Sequence, residues 1–117
     1  MSGTADGHDL AHFRERLEAE RDRILADSAS QKDARKPVEL DQQSVGRLSR
    51  MDAMQVQAMA IEAERRRAAR LRQIDAALSR MEGDEFGYCI ICGEDIAPKR
   101  LAHDPAAATC VDCLGGD

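Results

Sequence analysis

Tryptophan is absent from this chain, and aromatic side chains are scarce: Phe13, Phe86 and Tyr88 are the whole set in 117 residues. Sandwiches and barrels draw on aromatic and β-branched side chains, so this poverty argues against them. Long apolar runs are missing too. None approaches the roughly 20 consecutive apolar residues of a membrane-spanning helix, and no membrane association is expected. A basic excess is lacking: the net charge is −5, which disfavours a body built to grip a phosphate backbone. No apolar stretch follows Met1, so the expectation is a chain without a secretory signal, residing in the reducing cytoplasm.

What remains is rich in Ala, Leu, Met, Glu and Arg, with 33% of residues charged. That composition suits long helices with a thin apolar seam. Residues 1–8 read as a flexible N-terminus. From Asp9, a plausible N-cap, to about Lys32 the pattern is helical, with Leu10, Phe13, Leu17 and Ile24 at spacings of three, four and seven. Pro37 ends that helix, and residues 36–49 read as a turn. A second helix starts near Ser44 or Ser49. Its stripe is Met51, Met54, Ala58, Ile61, Ala68, Leu71, Ile74, Leu78 and Met81, with Arg65 as the polar seam position and Gly83 as the stop. Two amphipathic helices joined by a short bridge predict an antiparallel coiled-coil hairpin over 9–83. In such a pairing Leu71 would lie against Leu10, Phe13 or their neighbours. The fold class expected is mainly α, the hairpin capped by a small four-cysteine zinc module over 84–117.

That module rests on Cys89-Ile90-Ile91-Cys92 and Cys110-Val111-Asp112-Cys113. Zinc takes four ligands in a tetrahedron, and two residues between cysteines let one tight turn aim both sulfurs at one ion. Gly93 and Gly115 permit such turns. Disulfides and free thiols are the competing reading, and a reducing compartment disfavours disulfides. A redox Cys-x-x-Cys needs a strand–helix–strand setting that is not visible here. Four thiolates leave no open coordination position, so a single zinc at Cys89, Cys92, Cys110 and Cys113 would be structural. His8, His12 and His103 are not needed as ligands.

Charge limits what the module can touch. Residues 82–117 hold eight acidic side chains against Lys99 and Arg100, and a zinc tetrathiolate adds two further negative charges. A phosphate backbone would be repelled, which argues against direct nucleic-acid binding. Residues 62–72 are the opposite, with five arginines against Glu62 and Glu64. They form either a solvated helix face or a docking stripe for an acidic protein surface.

In Phe86-Gly87-Tyr88-Cys89-Ile90-Ile91-Cys92-Gly93, then Ile96, Arg100-Leu101, Pro105, Cys110 and Asp112-Cys113, the sequence resembles the DksA/TraR family of bacterial RNA-polymerase-binding regulators. The motif-level likeness covers about residues 82–114, and the hairpin matches as architecture. The resemblance implies a monomer that binds RNA polymerase and inserts its coiled-coil tip into the secondary channel, without contacting DNA. Some members act with guanosine tetraphosphate (ppGpp). The chain departs from the family in two places. The Asp-x-x-Asp-x-Ala tip motif would fall on Gly46, Ser49 and Met51, so the tip candidates are instead Asp41, Asp52 and Ala53. Two basic positions that help hold ppGpp would fall on Gln73 and Asp104, so the resemblance does not carry ppGpp over. Arg65, Arg66, Arg67 and Arg70 are the shaft candidates for pairing with an acidic partner.

Two functions compete. One is a transcription regulator acting on polymerase. The other is a zinc-stapled helical adaptor that docks another protein. An enzyme is not expected, because the sequence offers no open metal site, no paired nucleophile and base, and no phosphate-cradling loop.

Overall fold

A computed structural model describes residues 7–36 and 47–114. The chain runs as α1 (Gly7–Ser30), a 3-10 turn (Asp33–Arg35), α2 (Arg47–Glu82), α3 (Pro98–His103) and α4 (Val111–Leu114). Among the described residues there is no strand, only an isolated antiparallel bridge between Tyr88 and Asp95. The fold is mainly helical, as expected. α1 starts at Gly7, so Asp9 lies inside the first turn rather than at the cap. It stops at Ser30, short of Lys32, where the Arg35 guanidinium donates to the Ser28 carbonyl at 3.0 Å and occupies one of the helix's open acceptors. Lys36, the residue before Pro37, is extended (φ −66°, ψ 150°), the conformation proline imposes on its predecessor.

The stop of α2 differs by one residue from the sequence reading. Gly83 is the cap, but the left-handed residue is Asp84, at φ 60°. The Glu85 N–H reaches back to the Arg80 carbonyl at 2.8 Å and the Asp84 N–H to that of Met81. That pairing closes the helix end, and aspartate tolerates the left-handed region better than most residues.

The chain divides into two compact units. The first combines the described part of Met1–Asp22 with that of Leu71–Asp117. Here α1 and α2 pair antiparallel: Arg21 bonds Asp75 at 3.1 Å, and the Phe13 and Phe86 rings meet at 5.7 Å. Leu17, Ile74, Ile96 and Leu101 are fully buried, with Phe13, Ala77, Met81 and Phe86 around them. Leu10 shares a surface pocket with Met81 and Phe86. Leu10 and Phe13 therefore meet that end of α2, and the expected pairing of Leu71 with them is corrected.

The second unit is Arg23–Arg70. Its inward face is not the expected one. Met51, Met54 and Ile61 are exposed, Met51 by 57%. Arg65, expected on the seam, is exposed by 72%. Gln57, Ala60, Glu64 and Arg67, at spacings of three and four, are among the half-buried positions of this unit, as is Ala68 of the expected stripe. The reason is the partner strip. α1 and the turn offer Ser28 and Arg35, so polar residues of α2 face them. Glu64 accepts from the Ser28 hydroxyl at 2.9 Å, pairs with Arg35 at 3.2 Å and pairs with Arg67 at 3.1 Å. Its carboxyl is held below the usual carboxylate range, first by the Ser28 hydrogen bond and then by the two arginines against opposing burial. Gln57 extends the polar strip by donating to the Lys36 carbonyl at 2.7 Å.

Candidate metal centre

The last part of the first unit is assembled by turns rather than by regular structure. Gly87 (φ 94°) and Gly93 (φ 79°) take conformations that side chains rarely adopt. Gly93 follows Cys92 and closes the first cysteine turn, its N–H donating to the Cys89 carbonyl at 2.9 Å. The Cys89 N–H donates to Glu94 at 2.8 Å and the Ile96 N–H to Gly87 at 2.8 Å. The Ile90 N–H donates to the Ala108 carbonyl at 2.9 Å, tying the first turn to the approach of the second pair. Between them, Pro98 opens α3, where its missing N–H costs nothing. Arg100 Nε donates to the Thr109 carbonyl at 2.8 Å, so this spacer arginine braces the loop into Cys110. Asp104 accepts from the Ala106 N–H at 3.0 Å and turns the chain after α3. From α1, Arg16 donates to the Ala102 carbonyl at 2.7 Å.

These contacts bring all four predicted cysteines together. The Sγ atoms of Cys89, Cys92, Cys110 and Cys113 lie within 4.8 Å of one another. Cys92 and Cys110 are 3.7 Å apart. A tetrahedron with zinc–sulfur bonds of ~2.3 Å has edges of about 3.8 Å, whereas a disulfide needs ~2.05 Å. The donor set therefore fits zinc. The Ile91 and Cys92 N–H groups donate to Cys89 Sγ at 3.4 and 3.5 Å, the backbone support a metal-bound thiolate requires.

Without a metal the sulfurs of Cys89, Cys92 and Cys113 are electrostatically unequal. N–H groups of Cys92, Cys110 and Ile91 draw the Cys89 thiol down to about 6, against the opposing effect of burial. Hydrogen bonds to Cys110 and Cys89, together with burial, push Cys113 up to about 12. Cys92 is also raised: the Glu94 N–H pulls it down, but burial and the neighbouring sulfurs outweigh that pull. One thiolate is accommodated, and a second beside it is resisted until a cation arrives. Protons and zinc thus compete for Cys92 and Cys113, and affinity should rise with pH. Titrating zinc into the apoprotein near neutral pH should release at least two protons per ion, one each from Cys92 and Cys113. Calorimetry in buffers of different ionisation enthalpy measures this, and release of one proton or fewer would contradict the arrangement.

The other predicted residues lie elsewhere in the fold. Asp41 is outside the described residues. Asp52 and Ala53 are exposed near the start of α2. Arg65 and Arg66 are exposed and share Glu62, at 2.8 and 3.6 Å. Arg67 differs from them: it is mostly covered and bonded to Glu64. Arg70 is half-buried and also has an interaction partner. The expected arginine stripe therefore divides into an outward pair and an inward remainder. Glu64, which sequence reasoning passed over, is the hub of the inward group. Its spacing of three from Arg67 was the readable signal.

Residues 84–116 match the family described as the prokaryotic dksA/traR C4-type zinc finger. The RNA polymerase-binding transcription factor DksA of Escherichia coli K12 is 33% identical over 107 residues, covering 89% of this chain and 68% of the relative. The factor of the same name from Haemophilus influenzae is 44% identical over 43 residues, covering 37% of this chain and 30% of that protein. In fold, the chain is similar to the transcription factor DksA2 of Pseudomonas aeruginosa, with a TM-score of 0.74, 22% identity, and coverage of 96% of this chain and 84% of that one.

Proposed function

We propose, from the premise that this chain belongs to the DksA/TraR family of C4-type zinc-finger proteins, that it binds RNA polymerase directly and regulates transcription. The observation that carries the reading is the E. coli relative, a named polymerase-binding factor whose likeness covers 89% of this chain. One zinc at Cys89, Cys92, Cys110 and Cys113 staples the module and does no chemistry. The protein acts as a regulator rather than an enzyme, as a monomer, in the cytoplasm and without gripping DNA. No helix among the described residues is long and apolar enough to cross a membrane. Partner contact divides between the tip and the shaft. The region around Asp41, Asp52 and Ala53 enters the secondary channel. The outward arginines Arg65 and Arg66 pair with acidic polymerase surface, while Arg67 and Arg70 support the helix that carries them.

Exposed charges mainly set association rate and salt sensitivity. Arg66→Glu should therefore weaken polymerase binding several-fold at low salt and less at high salt. Asp52→Asn should leave binding near wild type and blunt the change in transcription. Competition binding to polymerase beside a single-promoter transcription assay reads both. Proportional loss of both by Asp52→Asn would abolish the division of labour, and absence of any polymerase binding would abolish the function. Adding ppGpp to the same assay should change little, because Gln73 and Asp104 replace the basic pair.

A further inference from the structure

Among the described residues of the first unit, the exposed large apolar side chains are Ile90, Ile91, Val111 and Leu114, each more than half exposed. Single exposed apolar residues are ordinary on a protein surface. These four are not scattered. Ile90 and Ile91 fill the first cysteine turn, Val111 lies within the second, and Leu114 follows it directly. The fold sets the two turns side by side. The Ile90 N–H donates to the Ala108 carbonyl at 2.9 Å, and the sulfurs of Cys92 and Cys110, the chain neighbours of Ile91 and Val111, are 3.7 Å apart. The Leu114 N–H donates to the Cys110 carbonyl at 2.9 Å and closes the single turn of α4, so Val111 and Leu114 share one side of it at a spacing of three. Metal binding asks nothing apolar of the residues between the cysteines. Apolar side chains gathered together and left in water mark a docking face.

The charges around these residues decide what covers them. Glu94 and Asp95 follow the first turn and Asp112 lies inside the second, all exposed. Of the two bases in this segment, Arg100 is engaged with the Thr109 carbonyl and Lys99 belongs to α3. Zinc held by four thiolates adds two negative charges. A second copy of the chain would set acid against acid, and a phosphate-bearing surface would be repelled in the same way. The complement is a protein surface with an apolar centre and a border of lysine or arginine. We propose, on the reading that polymerase is the partner, that the two cysteine turns form a second docking face: Ile90, Ile91, Val111 and Leu114 seat on an apolar polymerase surface whose basic border meets Glu94, Asp95 and Asp112. This contact is opposite in sign to that of Arg65 and Arg66. The zinc then builds an interface as well as a fold, because the assembled centre is what holds the two turns together.

The test measures binding of the full zinc-loaded chain to purified RNA polymerase at low and at high salt. The double variant Ile91→Ser, Val111→Ser should bind about tenfold more weakly. The factor should be similar at both salt concentrations, because apolar contact is not screened. Leu114→Ser, outside both cysteine pairs, should weaken binding about threefold in the same salt-independent way. Glu94→Lys, at the rim, should weaken it mainly at low salt. Elemental analysis of each variant should still find one zinc per chain, since all the altered side chains are exposed. Wild-type affinity in both the double variant and Leu114→Ser would overturn the face and leave polymerase as the partner. Loss of affinity confined to variants that also lose zinc would overturn it as well, as an effect of unfolding. Absence of binding by the wild-type chain would overturn the face and the polymerase reading together. Sedimentation velocity of the chain alone should show a monomer, and a dimer dissolved by the double variant would assign the face to a second copy and overturn the proposal.

Discussion

Stripping the zinc, or replacing Cys110 with serine, should dissolve the fixed structure of residues 84–114 while most of α1 and α2 persists. That segment has no sheet and two helices, of six and four residues. Neither helix is long enough to stand alone in water. Its buried apolar side chains are few, principally Phe86, Ile96, Leu101, Ala106 and Ala107. A core of this size cannot offset the backbone entropy of some thirty residues, at about 1–2 kcal/mol each. Structural zinc in small modules supplies on the order of 10 kcal/mol of apparent binding energy, and much of that is folding energy. Without the ion, Cys89 retains its N–H donors, but the other sulfurs have no reason to converge. Amide hydrogen exchange of the chelated protein should show protection lost from Gly87 to Leu114 and kept around Leu17 and Ile74. Full protection of the module in the zinc-free state would show that packing alone builds it.

The second large effect is in the helical core. Ile74→Asp should unfold the first unit or lower its stability by about 3–5 kcal/mol, the range for an uncompensated charge in a buried site. Ile74 and Leu17 are both fully buried. Neither Phe13, Ala77 nor Met81 nearby can pair a carboxylate. Ile74→Ala, which leaves a cavity instead, should cost about 2–4 kcal/mol. Arg72→Ala, on the exposed face, should change stability by less than about 0.5 kcal/mol. Urea unfolding followed by circular dichroism ranks the three. Equal midpoints for Ile74→Asp and Arg72→Ala would mean that this face of α2 is not the buried one.

Some of this was readable from residues alone, for definite reasons. Leu10, Phe13 and Leu17 keep helical spacing opposite an α2 end that is also apolar, so pattern and packing agree there. The cysteine quartet needs only two tight turns and a spacer, and spacing encodes both. The inward face of the second unit was not legible in the same way. Met51, Met54 and Ile61 formed the stronger apolar pattern, yet they are exposed, and it is Glu64 that faces Ser28 and Arg35. Choice of face depends on the partner, and a single helix's periodicity does not report it. The helices α3 and α4 are too short to show a period, although Pro98 was a usable start signal.

The Ser28–Glu64–Arg35–Arg67 cluster constrains more than its own pairings. A small side chain such as Ala60, half-buried in this unit, gives no fixed register by itself. Arg67 travels with Glu64 on α2, but the Ser28 hydroxyl and the Arg35 guanidinium reach Glu64 from the other side, and a slip of one turn breaks both contacts. Polar residues within helix pairs are known to trade stability for uniqueness in this way. In the second unit the cluster thus works as a vernier. It contributes little cohesion, but it sets how far along its neighbour α2 lies.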